Sequence, residues 1–257
     1  MRNIKLVLEY DGTNFAGSQL QANGRTVQGE LERAIAELTG LSSGAHCRVQ
    51  LAGRTDSGVH AEGQVANFKT DSNHSTEIFR RGLNALLPVD LVVTIAEEVS
   101  KDFHARFSAT EREYRYEILN RRSRSPLSRH YVHWVKTPLD VNNMAEAGKV
   151  LVGRHDFASF AGAGMGVPDT ESEGKPGTVR ELRRLEWRSG KGSLIEFWVA
   201  ANAFLPHMVR NIVGTLLEVG AGKINLREFE EIFAACDRRR AGPTAPPSGL
   251  YLVSVKY

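Results

Sequence analysis

Twice along this chain, apolar residues spaced two apart give way to apolar residues spaced three and four apart, and then the pattern reverts. That change of period limits the fold more than any other feature of the sequence. Ile4, Leu6, Leu8 and Tyr10 alternate with Lys5, Val7 and Glu9 and predict a strand with one apolar face. Thr26 can cap a helix carrying Val27, Leu31, Ile35 and Leu38, and Gly40 ends it. Strands are expected over 47–52 and 64–70. A helix capped by Ser75 or Thr76 follows, with Ile78, Phe79, Leu83, Leu86 and Leu87 on one side and Pro88 as the stop. Residues 91–99 are extended again. The order is β-α-β-β-α-β, the split βαβ or ferredoxin-like arrangement.

The second half repeats the order with additions. Residues 113–119 predict a strand with Tyr114, Tyr116 and Ile118 on one face, and 131–135 a short extra strand. Asp140 begins a helix to about Val152. Strands over 179–188 and 194–201 form a hairpin, helices cover 204–219 and 226–236, and a closing strand covers 250–257. The expectation is an α+β fold of two pseudo-repeated ferredoxin-like βαββαβ halves, 1–105 and 106–257. Their antiparallel sheets would meet around a central cleft. The repeat lies in the order of elements, not in sequence identity. Residues 161–178 are too rich in glycine and short polar residues to pack and read as a mobile surface loop.

Between the second and third strands lies Leu51-Ala52-Gly53-Arg54-Thr55-Asp56-Ser57-Gly58-Val59-His60-Ala61. Gly53 and Gly58 make it a tight, shaped loop, and Asp56 is held out from the sheet. Taken alone, the loop reads first as an Asx-turn, with Asp56 bonding its own backbone.

The segment Gly53-Arg54-Thr55-Asp56-Ser57-Gly58-Val59-His60 closely resembles the motif of the tRNA pseudouridine synthases of the A type, in which the aspartate is catalytic. Other blocks of that family are matched in order. They are Tyr10-Asp11-Gly12-Thr13, Asp102-Phe103-His104-Ala105-Arg106-Phe107, Tyr114-Arg115-Tyr116, His207-Met208-Val209-Arg210-Asn211-Ile212-Val213-Gly214 and Gly249-Leu250-Tyr251-Leu252-Val253. The resemblance covers essentially the whole chain. It implies an isomerase that turns uridine into pseudouridine in the tRNA anticodon stem-loop, at positions 38, 39 and 40. It also implies a homodimer. By the same resemblance the N-terminal domain carries the catalytic loop, and the C-terminal domain completes the active site and supplies a basic RNA-binding surface. One block departs from the family: Gly17-Ser18-Gln19 stands where Gly-Trp-Gln is common, which puts an aromatic contact there in doubt.

The reaction breaks the bond from ribose C1′ to uracil N1, turns the base and rejoins it through C5. It needs no redox change and no outside group, so no cofactor and no metal is expected. It needs a nucleophile that attacks and later leaves, and a carboxylate suits that role. In the resembled family the aspartate attacks C6, attacks C1′ or takes a ribose proton, and the residues alone leave all three open. In a pocket that excludes water desolvation raises a carboxylate's pKa, and a buried arginine opposite it counters that. Arg210, at the flank of the apolar face formed by Val209, Ile212, Val213 and Leu216, is the expected partner, as the family implies. Tyr114 is expected against the uracil, by ring stacking or by its hydroxyl, and Leu250 as the apolar wall beneath it. By pattern alone these two are a core aromatic and a strand leucine. Arg54 is expected to meet RNA phosphate or to fill the space of a flipped nucleotide.

Net charge is only +3 across 257 residues, but it is unevenly distributed. Residues 106–130 hold seven arginines against three glutamates. Arg106, Arg112, Arg115, Arg121 and Arg122 are therefore candidate contacts to an RNA backbone, against the plainer reading of a solvated, ion-paired surface. Cys47 and Cys236 are far apart and without ligand spacing, so buried free thiols in a reducing cytoplasm fit best. No apolar run approaches membrane-spanning length, and no membrane partner is expected. Two rival functions remain at this stage. One is a non-catalytic RNA-binding protein. The other is a carboxylate-dependent hydrolase, for which Glu62 is the nearby second acid.

Overall fold

The computed structural model describes residues 1–40, 47–162 and 177–257, and the bulk of the glycine-rich 161–178 stretch lies outside them. The chain forms mixed α and β structure in two compact units. One holds Met1–Thr110 with Tyr251–Tyr257, and the other holds Glu111–Leu250. This differs from a division at 105: residues 106–110 stay with the first unit, and the last strand returns to it. The reason is pairing, since Tyr251 and Leu252 lie in parallel register beside His60 and Ala61.

In the first unit the order is β1 (Arg2–Tyr10), α1 (Val27–Thr39), β2 (Gln50–Leu51), β3 (His60–Thr70), α2 (Thr76–Leu86) and β4 (Leu91–Val99). β1 is central, with β3 and β4 antiparallel on its two sides, and β2 pairs antiparallel with β3. Ile4, Leu6, Leu8 and Tyr10 are all buried, as their alternation requires. They share the core with Val27, Leu31 and Ile35 of α1 and Phe79 and Leu83 of α2. Fully burying such side chains contributes about 1.5–3 kcal/mol each. Thr26 caps α1 by accepting from Gly29 N–H, and Gly40 closes it in the left-handed region. Ser75 caps α2. Ile78 was expected on the buried side of α2 but is 47% exposed, because Phe79 and Leu83 take the core positions. β2 is only two residues long, shorter than the strand expected over 47–52.

In the second unit, β5 (Glu111–Asn120) is joined antiparallel by β9 (Leu194–Ala201). β8 (Val179–Ser189) and β7 (Gly153–Asp156) follow in turn. β6 (His133–Val135) pairs parallel with β5. β7 is an element the sequence pattern did not yield, being four residues without apolar alternation. The helices are α3 (Val141–Gly148), α4 (Met208–Gly220) and α5 (Leu226–Ala234). Asp140 caps α3 and an Asn225–Glu228 capping box opens α5. α4 begins four residues later than its apolar pattern suggests, after His207 in a left-handed conformation. Nearly all of α4 is buried, alongside a cluster of Phe157, Phe160, Phe229 and Phe233. The closing strand, β10 (Leu250–Lys256), begins at the edge of this unit and runs on into the first.

Cys47 is buried, and burial pushes its thiol up to about 11. Cys236 is only half-buried, contrary to the expectation that both thiols are enclosed. Among the described residues no helix is long and apolar enough to cross a membrane.

Candidate active site

Asp56 lies on the loop that joins β2 to β3, and both of its neighbours are bonded to the segment that follows β1. Thr55 N–H donates to Ser18 Oγ at 2.8 Å, and Thr55 O accepts from Ser18 N–H at 3.0 Å. The Thr55 hydroxyl shares a hydrogen bond with the Tyr10 hydroxyl at 2.8 Å. On the other side, Ser57 Oγ donates to Phe15 O at 3.1 Å. Val59 N–H donates to Asp56 O at 3.2 Å, closing a tight turn in which Gly58 takes φ 79°. That angle strains any side chain. Gly12 packs directly on the Val59 backbone, where a Cβ would overlap the carbonyl.

The loop is thereby seated on the chain between Tyr10 and Ser18. Thr55 is buried, Asp56 is half-buried, and Arg54 and Ser57 are exposed. Gln64, fully buried on β3, donates to Gly53 O at 2.9 Å. His60 accepts Gly12 N–H on Nδ1 at 3.1 Å and stacks on Tyr251, ring centres 4.8 Å apart. This is the packing that the last strand provides to the first unit.

The other expected site residues belong to the second unit. Arg210 is half-buried on α4; its Nε donates to Ala245 O at 2.8 Å, and Ala245 N–H returns a bond to Arg210 O at 3.0 Å. Next to it, Asn211 donates to Phe160 O and Ala161 O and accepts from Thr244 Oγ1 and Arg238. Gly214 meets Pro243 so closely that a Cβ there would overlap the Pro243 carbonyl. α4 is thus welded to residues 238–245. Tyr116 hydroxyl donates to Pro246 O at 2.8 Å, its ring packs on Gly249, and the Arg210 charge acts on it. Burial outweighs that charge and pushes the Tyr116 hydroxyl well above the usual phenol range. Tyr114 lies two residues away on the same face of β5, largely buried, with its ring edge-on to Phe204 at 5.0 Å. Leu250 is buried immediately after Gly249. Within this unit, Tyr116 therefore gathers Arg210 and the start of β10 beside the strand that carries Tyr114.

A sequence model of the tRNA pseudouridine synthases matches residues 6–108 and 147–257, which include Asp56, Arg210 and Leu250 but not Tyr114 or Tyr116. The chain belongs to that family. It is 50% identical over its full length to tRNA pseudouridine synthase A of Chloroflexus aurantiacus, covering 89% of that protein. It is 48% identical to the protein of that name in Roseiflexus sp., again over its full length and covering 91% of that relative. With the one in Geobacillus kaustophilus it shares 44%, covering 95%.

For a tRNA pseudouridine synthase, the arginines of residues 106–130 divide into two kinds. Arg112 is buried and donates to Asn202 O at 2.8 Å. Arg115 pairs with Glu117 at 2.9 Å and packs over the Trp198 ring at 5.4 Å. Both are engaged inside the sheet. Arg106, Arg121 and Arg122 are exposed. Glu62, the second acid of the hydrolase reading, is exposed on β3. Among the described residues there is no cluster of three or more His, Cys, Asp or Glu able to hold a metal ion. The residues that sequence reasoning missed are Ser18 and Gln64. The signal for Gln64 was a polar residue directly before the apolar pair Val65 and Ala66, and for Ser18 a small polar residue in a glycine-bearing turn.

Proposed function

We propose that Asp56 is the nucleophile with which this tRNA pseudouridine synthase isomerises uridine, and that its targets are positions 38, 39 and 40 of the anticodon stem-loop. The carrying observation is the seating of Asp56. It is half-buried, and the residues on either side of it are hydrogen-bonded to the chain between Tyr10 and Ser18. A carboxylate held this way is pre-positioned for attack on a nucleotide. Arg210 is the cation of the site, Tyr114 meets the base with ring or hydroxyl, and Leu250 forms the wall beneath it. The fold that goes with this reading is a pair of pseudo-repeated ferredoxin-like βαββαβ halves. Arg54 takes a phosphate or the vacated stack, and exposed Arg106, Arg121 and Arg122 contact the backbone. Arg112 and Arg115 brace β5 and its neighbours through Asn202, Glu117 and Trp198. The enzyme works in the cytoplasm as a homodimer, one subunit holding the tRNA body while the other presents its cleft.

The test is Asp56→Asn. Tritium release from tRNA labelled at uracil C5 should vanish while tRNA binding persists; retained release would remove Asp56 from the chemistry. Mapping pseudouridine in tRNA from cells lacking the chain tests the three positions, and light scattering of the pure protein tests the dimer.

A further inference from the structure

We propose that Ser18 is a positioning residue for the isomerisation, acting through Thr55 to fix the direction in which Asp56 meets the nucleotide. The inference rests on the assignment of Asp56 as the reacting carboxylate. Ser18 is completely buried, and its two bonds to Thr55 run in opposite senses, hydroxyl to N–H and N–H to carbonyl. Its own carbonyl accepts Gln28 N–H at 2.9 Å, which anchors it to α1. With the Tyr10 hydroxyl on Thr55 Oγ1, all three polar groups of Thr55 are held by residues far away in sequence.

Regular structure cannot do this work. β2 contributes only Gln50 and Leu51, Ala52 N–H still donates to Val65 O on β3 at 2.8 Å, and residues 53–59 belong to no strand. The Thr55–Asp56 peptide is held through its carbonyl by Ser18 N–H, and the Arg54–Thr55 peptide before it is held through its N–H by the buried hydroxyl of Ser18. Removing that acceptor leaves Thr55 N–H buried without its partner, and the loop must turn to recover one. A displacement near 1 Å at a reacting group costs roughly a hundredfold in rate.

Ser18→Ala and Tyr10→Phe, singly and together, test this with C5-tritium release on tRNA, tRNA binding, and amide exchange of the native protein. The expected result for Ser18→Ala is a kcat lowered roughly a hundredfold, with KM and tRNA affinity held within about twofold. Faster exchange should be confined to the residues around Thr55. The double variant should lose less than the product of the single losses, because both side chains act on one residue. An unchanged kcat overturns the proposal. So does a loss in which kcat, KM and exchange throughout the first unit move together, since that marks a merely structural role. Strictly multiplicative losses with Tyr10→Phe overturn it as well. Activity retained by Asp56→Asn would instead sink the assignment of the carboxylate, whatever Ser18→Ala does.

Discussion

Arg210 and Ala245 are bonded to each other twice, once through the guanidinium Nε and once through the Arg210 carbonyl. One edge of the guanidinium is thereby committed to the fold. A lysine cannot reproduce that arrangement, because its ammonium is a single point on a flexible stem. Arg210→Lys should lower kcat by at least tenfold despite keeping the charge, and Arg210→Ala should abolish turnover with tRNA binding less affected. Steady-state rates beside filter-binding affinities check both.

Tyr114 packs edge-on to Phe204 through its ring, so the ring and the hydroxyl can be separated by substitution. Tyr114→Phe keeps the packing and should change unfolding stability by less than about 1 kcal/mol. If the hydroxyl carries a proton in the reaction, kcat should fall by about 10²-fold or more. Unchanged turnover would leave the ring alone as the contribution.

Gly12 and Gly40 give a matched pair. At Gly12 a Cβ would collide with the Val59 backbone, which has no freedom to move without displacing the Asp56 turn. Gly12→Ala should cost about 1–3 kcal/mol and most of the activity. At Gly40, a left-handed helix end with nothing nearby, Ala should cost about 1 kcal/mol and leave activity intact. Urea unfolding and tritium release on both variants read the contrast.

Burial pushes the Tyr10 hydroxyl up to about 12, with its bonds to Thr55 and Gln64 pulling weakly the other way. The folded protein therefore keeps a proton that the unfolded chain releases near pH 10. Stability from this group is whole below pH 10 and is lost as pH rises from 10 to 12, on the order of 2–3 kcal/mol in total. Tyr116 is pushed in the same direction by its burial. Urea unfolding at several alkaline pH values should show a shallower decline for Tyr10→Phe than for the parent. Parallel declines would contradict it.

Much of the architecture was legible because local physics writes it into the chain. The alternation Ile4–Tyr10, the Thr26 and Ser75 caps and the Gly40 stop all appear where the pattern placed them. Where the pattern erred, tertiary competition decided. Ile78 had the right spacing but lost the core to Phe79 and Leu83, and α4 starts only where His207 turns the chain. For the site, motif resemblance pointed to Asp56 and Arg210, but no spacing in the sequence connects Ser18 with Thr55.

The sequence by itself determined most of the elements, their order and the family, because periodicity, caps and motif blocks are properties of neighbouring residues. Only the tertiary structure decided how Asp56 is held, which arginines are committed within the sheet, and where the last strand goes. Those are contacts between residues tens to hundreds of positions apart. Such contacts depend on which buried polar groups find partners once the core has closed.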